Sequence, residues 1–417
     1  MKIKMSYENP AISVAEIPDS YEVDFYEPKE RPALSDEDFN KSLLENLERP
    51  ISASPLSEEL RDVKKALILS DDNTRTTNTR AIIEAIIENY PDTQFDVIIS
   101  LGTHRLMSQE EISEKLGPLI LEQCKVVQHD WKTAKFHDFG TTKSGVPVLI
   151  NDIIDEYDYI IGLGQVVPHR CTGFSAGTKI VQPGISAGET TEETHWLSAK
   201  YKVVETMGKR DNVIRDELDE IGLKSGLKFI VNVVQNKENK TVGIFCGHPV
   251  EAHKEAAKMA LDVFGFKAEP SEIVISESHP ADLEMWQASK GIYSAVSVVK
   301  DGGTLILVTP CPEGVSKTFG EELLKFGYKH EYEEIRKLVD EKMISNKILA
   351  SHIVHAGEVF FKAKQVFLVS PGLSEEESSK LGFKKVETLQ EAVDMALKEY
   401  ENPRISVMKF AADLLPL

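Results

Sequence analysis

Three short stretches carry the residue types that could do chemistry. Asp71-Asp72-Asn73-Thr74-Arg75 places two carboxylates and a guanidinium within five positions, and Gly102-Thr103-His104-Arg105 places an imidazole in a turn. The run His169-Arg170-Cys171-Thr172-Gly173-Phe174-Ser175-Ala176-Gly177-Thr178-Lys179 adds a second imidazole, a thiol and an amine on a glycine-rich loop. Histidine is the side chain whose ordinary pKa lies near neutrality, so His104 and His169 are candidates for moving a proton. Arg75 can grip a carboxylate through its planar fork. A lysine beside a glycine turn can approach an acyl-type carbon and, once desolvated, attack it as an amine.

Each fragment also has a plain structural reading. Asp72 and Arg75 could be a helix cap and a surface ion pair. Either histidine could be a hydrogen-bonded loop residue, and the glycines could make only a tight turn. The three fragments gain weight from where they stand: each follows an apolar run that reads as a strand, at residues 66–70 (ALILS), 97–101 (VIISL) and 159–163 (YIIGL). In open α/β sheets, ligands bind beyond the carboxyl ends of the strands. Three strand ends thus bring an Asp/Arg pair, two histidines and a lysine-bearing loop to one edge.

The familiar motifs are absent. Gly173 and Gly177 are three residues apart and Lys179 precedes Ile180, which is not a Walker A loop, and Gly162-Leu163-Gly164 lacks the third glycine of a dinucleotide fingerprint. There is no HExxH and no GxSxG. Cys171 has no orienting third group, and the pairs His352/His355 and His248/His253 lack partners at metal-ligand spacing.

The elements that must position these residues alternate short apolar runs with amphipathic helical stretches such as 79–90 and 253–264; residues 108–115 open with an S-x-x-E capping box. Residues 229–234 and 241–246 read as a hairpin. The pattern restarts near residue 268, with further strands at 273–276, 304–308 and 366–369. The expected fold is α/β, with two domains that each hold a mainly parallel sheet flanked by helices, and the active site in the cleft between them. Residues 1–268 form the catalytic domain in this reading and 269–402 the second, with 403–417 packing back on the first.

Lys and Arg number 48 against 68 Asp and Glu, a net charge of −20, and no basic patch interrupts it. Nucleic acid and anionic membranes would be repelled, so neither is an expected partner. No run approaches a membrane span, the first ten residues lack the apolar core of a secretory signal, and the four cysteines are scattered. A cytoplasmic enzyme is the expectation.

Taken together, the three fragments, with Pro183-Gly184-Ile185 and His195 following and Trp286-Gln287-Ala288-Ser289-Lys290-Gly291 further on, resemble the lactate racemase family of nickel-pincer-nucleotide-dependent racemases and epimerases. The resemblance implies a cofactor in which a pyridinium mononucleotide holds nickel through one carbon and two sulfurs. It assigns Lys179 to covalent attachment, His195 to the nickel, and Gly173, Ser175 and Gly177 to the cofactor loop. Carbon and sulfur donors with one imidazole suit square-planar nickel. His104 and His169 become the acid/bases that handle the hydroxyl proton while the pyridinium takes the Cα hydrogen as hydride. Arg75 and Lys290 would hold the substrate carboxylate, Asp72 would orient one of these groups, and Gln287 would hydrogen-bond the substrate. The implied partners are a small 2-hydroxy acid and cofactor-synthesis enzymes.

Four positions depart from the family pattern: Thr76 and Leu106 stand where proline is common, Trp286 where tyrosine stands, and Ile344 where a tryptophan is expected. The cofactor-anchoring positions are kept and the substrate wall is changed, which suggests the same chemistry on a substrate other than lactate. Two other readings remain: a zinc-dependent hydrolase or lyase using His104 and His169, and a non-catalytic nucleotide- or metal-binding relative.

Overall fold

The computed structural model describes residues 1–417. Two six-stranded sheets dominate it. In chain order their strands are β1 (Val23–Tyr26), β2 (Lys65–Ser70), β3 (Gln94–Ile99), β4 (Val126–Gln128), β5 (Tyr159–Gln165), β6 (Phe229–Gln235), β7 (Thr241–Gly247), β8 (Ser271–Glu277), β9 (Val299–Val308), β10 (Gln365–Val369), β11 (Lys384–Val386) and β12 (Ile405–Met408). The helices used below are α1 (Thr79–Asn89), α2 (Gln109–Gln123), α3 (Gly188–Ser198), α4 (Val213–Lys224), α5 (Glu251–Phe264), α6 (Lys290–Val298) and α7 (Lys347–Lys362). No helix is long and apolar enough to cross a membrane.

The first sheet runs β7-β6-β5-β2-β3-β4. All its pairs are parallel except the β6–β7 hairpin. Alternate residues of β2 serve opposite faces. Ala66 and Ile68 join a core with Ile82, Ile83 and Ile86 of α1 and Ile112, Leu116 and Ile120 of α2. Leu67 and Leu69 join another with Ile180, Ile221 of α4 and Ala252 of α5. Burial on both faces is why this strand reads as an unbroken apolar run. The chain steps outward from β2 through β3 to β4, then crosses back to β5 on the other side of β2. That makes the β2/β5 boundary the topological switch point, where a ligand crevice opens in such sheets.

The second sheet, β11-β10-β9-β8-β12-β1, is parallel throughout. Its membership corrects the expected domain division. The chain forms two compact units, one of residues Glu30–Leu197 and Gly208–Val263, the other of Met1–Lys29, Ser198–Met207 and Phe264–Leu417. The C-terminal segment belongs to the second unit. Strand β12 is fully buried between β8 and β1, and Ile405 and Val407 share a core with Ile3, Met5, Ile12 and Ile17. Strand pairing between opposite chain ends leaves no local signal, which is why a single boundary near 268 was all that periodicity could suggest.

Candidate active site

Asp72, His104 and His169 all follow carboxyl ends of adjacent strands in the first unit, β2, β3 and β5. Asp71 and Asp72 have separate tasks. Asp71 is buried and meets Lys115 of α2 at 2.9 Å, with Thr77 and Thr79 hydroxyls also donating to it. This anchors the loop between β2 and α1. Asp72 turns the other way, and its Oδ2 lies 2.6 Å from His104 Nδ1. Burial alone would raise this carboxyl. The hydrogen bond and charge of His104, the Thr74 hydroxyl and the Arg75 charge instead hold it far below the usual carboxylate range. Arg75 stands half-buried beside it, with Nη1 donating to Thr74 O at 3.0 Å.

The His104 loop is tied down by its neighbour. Arg105 makes a bidentate contact to Glu111 at 2.8 and 2.7 Å, and Glu111 closes the Ser108 capping box at the start of α2. His104 itself is exposed.

His169 sits in a two-residue-deep hairpin in which Pro168–His169 pair with Gly173–Phe174. The lysine loop beyond it is built by residues that the sequence did not mark for that task. Fully buried Arg215 of α4 donates to the carbonyls of Thr172 at 3.2 Å, Ala176 at 3.1 Å and Phe174. Asn232 of β6 accepts from the Gly177 amide at 3.1 Å, and His253 of α5 donates through Nε2 to Ser175 O at 2.7 Å. Ala176 has φ +58° and ψ −157°, a region that disfavours any side chain, and Arg215 and His253 hold the peptides on either side of it. Gly177, at φ +62°, is glycine because a Cβ would lie 2.8 Å from the His253 ring. At Gly173 a Cβ would overlap the Lys209 carbonyl. The Ser175 hydroxyl donates to Gln165 O at 2.6 Å and accepts from Val167 N at 2.9 Å. All three loop residues expected to touch a cofactor therefore have structural duties in shaping the loop.

Lys179 is half-buried in a turn of 3-10 helix, Gly177–Ile180. Loss of water around its amine, together with the Arg75 and Arg215 charges, pulls its pKa down to about 8, against weaker opposing pulls from Cys171 and Asp72. More of the amine is then neutral than for an exposed lysine, and the neutral form is the one that attacks an acyl carbon. His195, on α3, is drawn down to about 4 by desolvation and by the charges of Lys179 and His104. Its Nδ1 lies 2.8 Å from the Thr191 carbonyl, which can only accept. The ring hydrogen is therefore on Nδ1, and Nε2 carries the lone pair that a metal needs, the usual arrangement of a metal-binding histidine.

No three or more His, Cys, Asp and Glu side chains are grouped closely enough to hold a metal ion by themselves. A zinc site built on His104 and His169 lacks its remaining ligands. A metal that arrives with its own donors needs only one from the protein, and neutral His195 beside a reactive lysine fits that need.

Trp286, Gln287 and Lys290 belong to the second unit, at helix Met285–Ala288 and the start of α6. The Trp286 indole is stacked between His352 of α7, at 3.8 Å, and Phe319, at 4.9 Å. His352 is held in turn by the Tyr328 hydroxyl at 3.1 Å. His352 and His355 do not act as a pair: His355 Nε2 is 3.3 Å from the Ser198 hydroxyl.

Two family models match this chain, the lactate racemase N-terminal domain over residues 7–206 and the lactate racemase C-terminal domain over residues 266–410. The chain belongs to the lactate racemase family. It is an isomerase, and the family supports racemase activity. Lactate racemase of Thermoanaerobacterium thermosaccharolyticum is 28% identical over 325 residues, spanning 76% of this chain and 73% of the relative. Lactate racemase of Lactiplantibacillus plantarum is 29% identical over 279 residues, 64% of this chain and 65% of the relative. The solved apoprotein of the Thermoanaerobacterium enzyme superposes with a TM-score of 0.88 at 22% identity, covering 100% of both chains. A Thermotoga maritima protein superposes at 0.74 and 21% identity, covering 94% of this chain and all of the other. Within the lactate racemase fold, Arg215 and Asn232 escaped notice in sequence because each lies far along the chain on a helix or strand with no motif around it, and His253 was weighed only as a metal ligand, not as a support of the lysine loop.

Proposed function

We propose that this chain interconverts the stereoisomers of a small 2-hydroxy acid with a nickel-pincer nucleotide attached through Lys179. The observation that carries this reading is the pairing of a desolvated lysine amine with a neutral histidine whose tautomer suits a metal, next to the Asp72–His104 couple. When bound, the nucleotide supplies an electron-poor carbon able to take the Cα hydrogen as hydride, which no amino-acid side chain offers.

The residues do the rest. Lys179 provides the covalent anchor and His195 Nε2 the protein's ligand to nickel. Gly173, Ser175 and Gly177 fix the loop that presents Lys179. His104, oriented by Asp72, receives the substrate hydroxyl proton from one enantiomer at Nε2, and His169 serves the other. Arg75 holds the substrate carboxylate by its fork, and Lys290 adds a point charge while Gln287 hydrogen-bonds the substrate. Trp286, immobilised by its two aromatic neighbours, forms a wall where the family has tyrosine, which favours a 2-hydroxy acid other than lactate or an epimer with a second stereocentre. The cofactor-synthesis enzymes are the proposed partners and the cytoplasm the proposed setting.

The test is to produce the protein together with cofactor-synthesis enzymes and screen a panel of 2-hydroxy acids for stereoinversion. Inversion of at least one, lost in His104→Ala and His169→Ala, supports the reading. A loaded protein that inverts none of the panel refutes it.

A further inference from the structure

The two candidate acid/bases are held through the same ring atom by opposite kinds of partner. His104 Nδ1 lies 2.6 Å from Asp72 Oδ2. Asp72 is buried and also accepts from the Thr74 amide and hydroxyl. An ionised carboxylate has no hydrogen to give, so Nδ1 carries the hydrogen, and the lone pair of the neutral ring sits on Nε2.

His169 faces the reverse. Its Nδ1 accepts from the backbone N–H of Cys171 at 3.2 Å and of Thr172 at 3.3 Å. Amide N–H groups only donate, so this Nδ1 carries the lone pair and the hydrogen of the neutral ring sits on Nε2. The Thr172 hydroxyl, 3.2 Å from the same atom, donates to Phe174 O at 2.8 Å. A hydrogen on His169 Nδ1 would confront two amide hydrogens. The hairpin makes this arrangement: pairing of His169 with Gly173 folds residues 170–172 back over the ring.

We infer that the protein holds His104 and His169 in opposite tautomers, with the Cys171 and Thr172 amides acting as the positioning element for His169 that Asp72 is for His104. The inference rests on the proposed hydroxy-acid reading for its consequence. His104 takes a second proton at Nε2 without losing its bond to Asp72. His169 can take one only at Nδ1, after its amide donors are displaced. The resting site thus holds one base with its lone pair open and one whose lone pair is taken up by backbone amides, and the two enantiomers meet it differently although their overall equilibrium is unaffected. The half-reaction that relies on His104 as base should be the faster of the two.

The experiment is a long-range ¹H–¹⁵N correlation spectrum of the full-length protein without cofactor, labelled with ¹⁵N-histidine. It is recorded at about two units above the ordinary histidine pKa of ~6.5. His104→Gln and His169→Gln spectra assign the two rings. His104 should show its protonated-type nitrogen at Nδ1 and His169 at Nε2. Asp72→Ala should shift the His104 pattern and leave that of His169 in place. Matching patterns for the two rings would overturn the inference, as would a His104 pattern unmoved in a folded Asp72→Ala protein. If that variant does not fold, the wild-type pattern alone decides. Turnover plays no part in this readout, so failure to invert any 2-hydroxy acid would remove the proposed reaction and leave the tautomers standing.

Discussion

Arg215 Nη1 holds the Ala176 carbonyl at 3.1 Å, three residues before Lys179, and the same guanidinium reaches two earlier carbonyls of the loop, those of Thr172 and Phe174. Truncating it strands three acceptors in a fully buried setting, each worth roughly 1–3 kcal/mol when left unmade. Arg215→Met should lower stability by about 3 kcal/mol or more in urea titrations. Hydrogen exchange should rise selectively at 172–180. Arg215→Lys, which keeps the charge but not the fork, should rescue little. Unchanged exchange in that loop would show that the clamp does not shape it.

The attachment residue has a direct readout. Protein made with the cofactor-synthesis enzymes should carry a mass adduct on the peptide containing Lys179, and Lys179→Ala should carry none. Lys179 should also be acylated by small amine reagents more readily near pH 8 than exposed lysines, whose ordinary value is ~10.4. An adduct mapped to another lysine would exclude this role.

His195 should be the side chain that retains nickel. His195→Ala should lose most of the metal, measured by elemental analysis, while circular dichroism stays close to wild type, because the residue is half-buried on α3 and outside the apolar cores of the sheet. Full nickel content in that variant would rule out the assignment.

Asp72→Asn should remove the negative charge beside His104 with little change in shape. The loss in turnover should be on the order of 10²–10⁴, in line with general acid–base groups and the carboxylates that orient them. Stability supplied by ionised Asp72 is present in full above the ordinary carboxylate value of ~3.9 and disappears only as pH falls through its depressed native value. The variant's deficit in activity should therefore persist across the neutral range. A variant with wild-type turnover would detach Asp72 from the mechanism.

Two histidines set an acid limit. His129 is fully buried and drawn down to about 4 by burial, despite opposing pulls from the Ser186 carbonyl and Asp130. His253 is also fully buried and well below its ordinary value, through burial and the charges of Arg215 and Arg210. Their native pKa values lie below the unfolded ~6.5, so between these limits the unfolded chain binds more protons and stability falls as pH falls. From pH 7 to pH 5 the pair should cost roughly 3–4 kcal/mol. Urea titrations at the two values check this, and His129→Gln should remove about a third of the histidine-linked dependence, since His195, also drawn down to about 4, adds a share of similar size. A slope unaltered by that change would place the protons elsewhere.

The sequence alone determined the chemistry-bearing residues and the class of fold. Asp72, His104, His169 and Lys179 stand just past apolar runs, and a parallel sheet buried on both faces writes such runs plainly. The capping box at Ser108 and the β6–β7 hairpin are likewise local, so they could be read from neighbours in the chain. His195 drew notice only through a family resemblance, since nothing in its immediate surroundings marks it. The tertiary structure decided everything that depends on distant segments meeting. Strand β12 pairs with β1, at the other end of the chain, because a parallel sheet takes its neighbours from wherever their apolar edges fit. Arg215, Asn232 and His253 reach the lysine loop from three separate elements, and only folding sets them against its carbonyls and amides. The same holds for the tautomers: a histidine's composition leaves both ring nitrogens equivalent candidates, and the partner that folding places beside Nδ1 chooses between them.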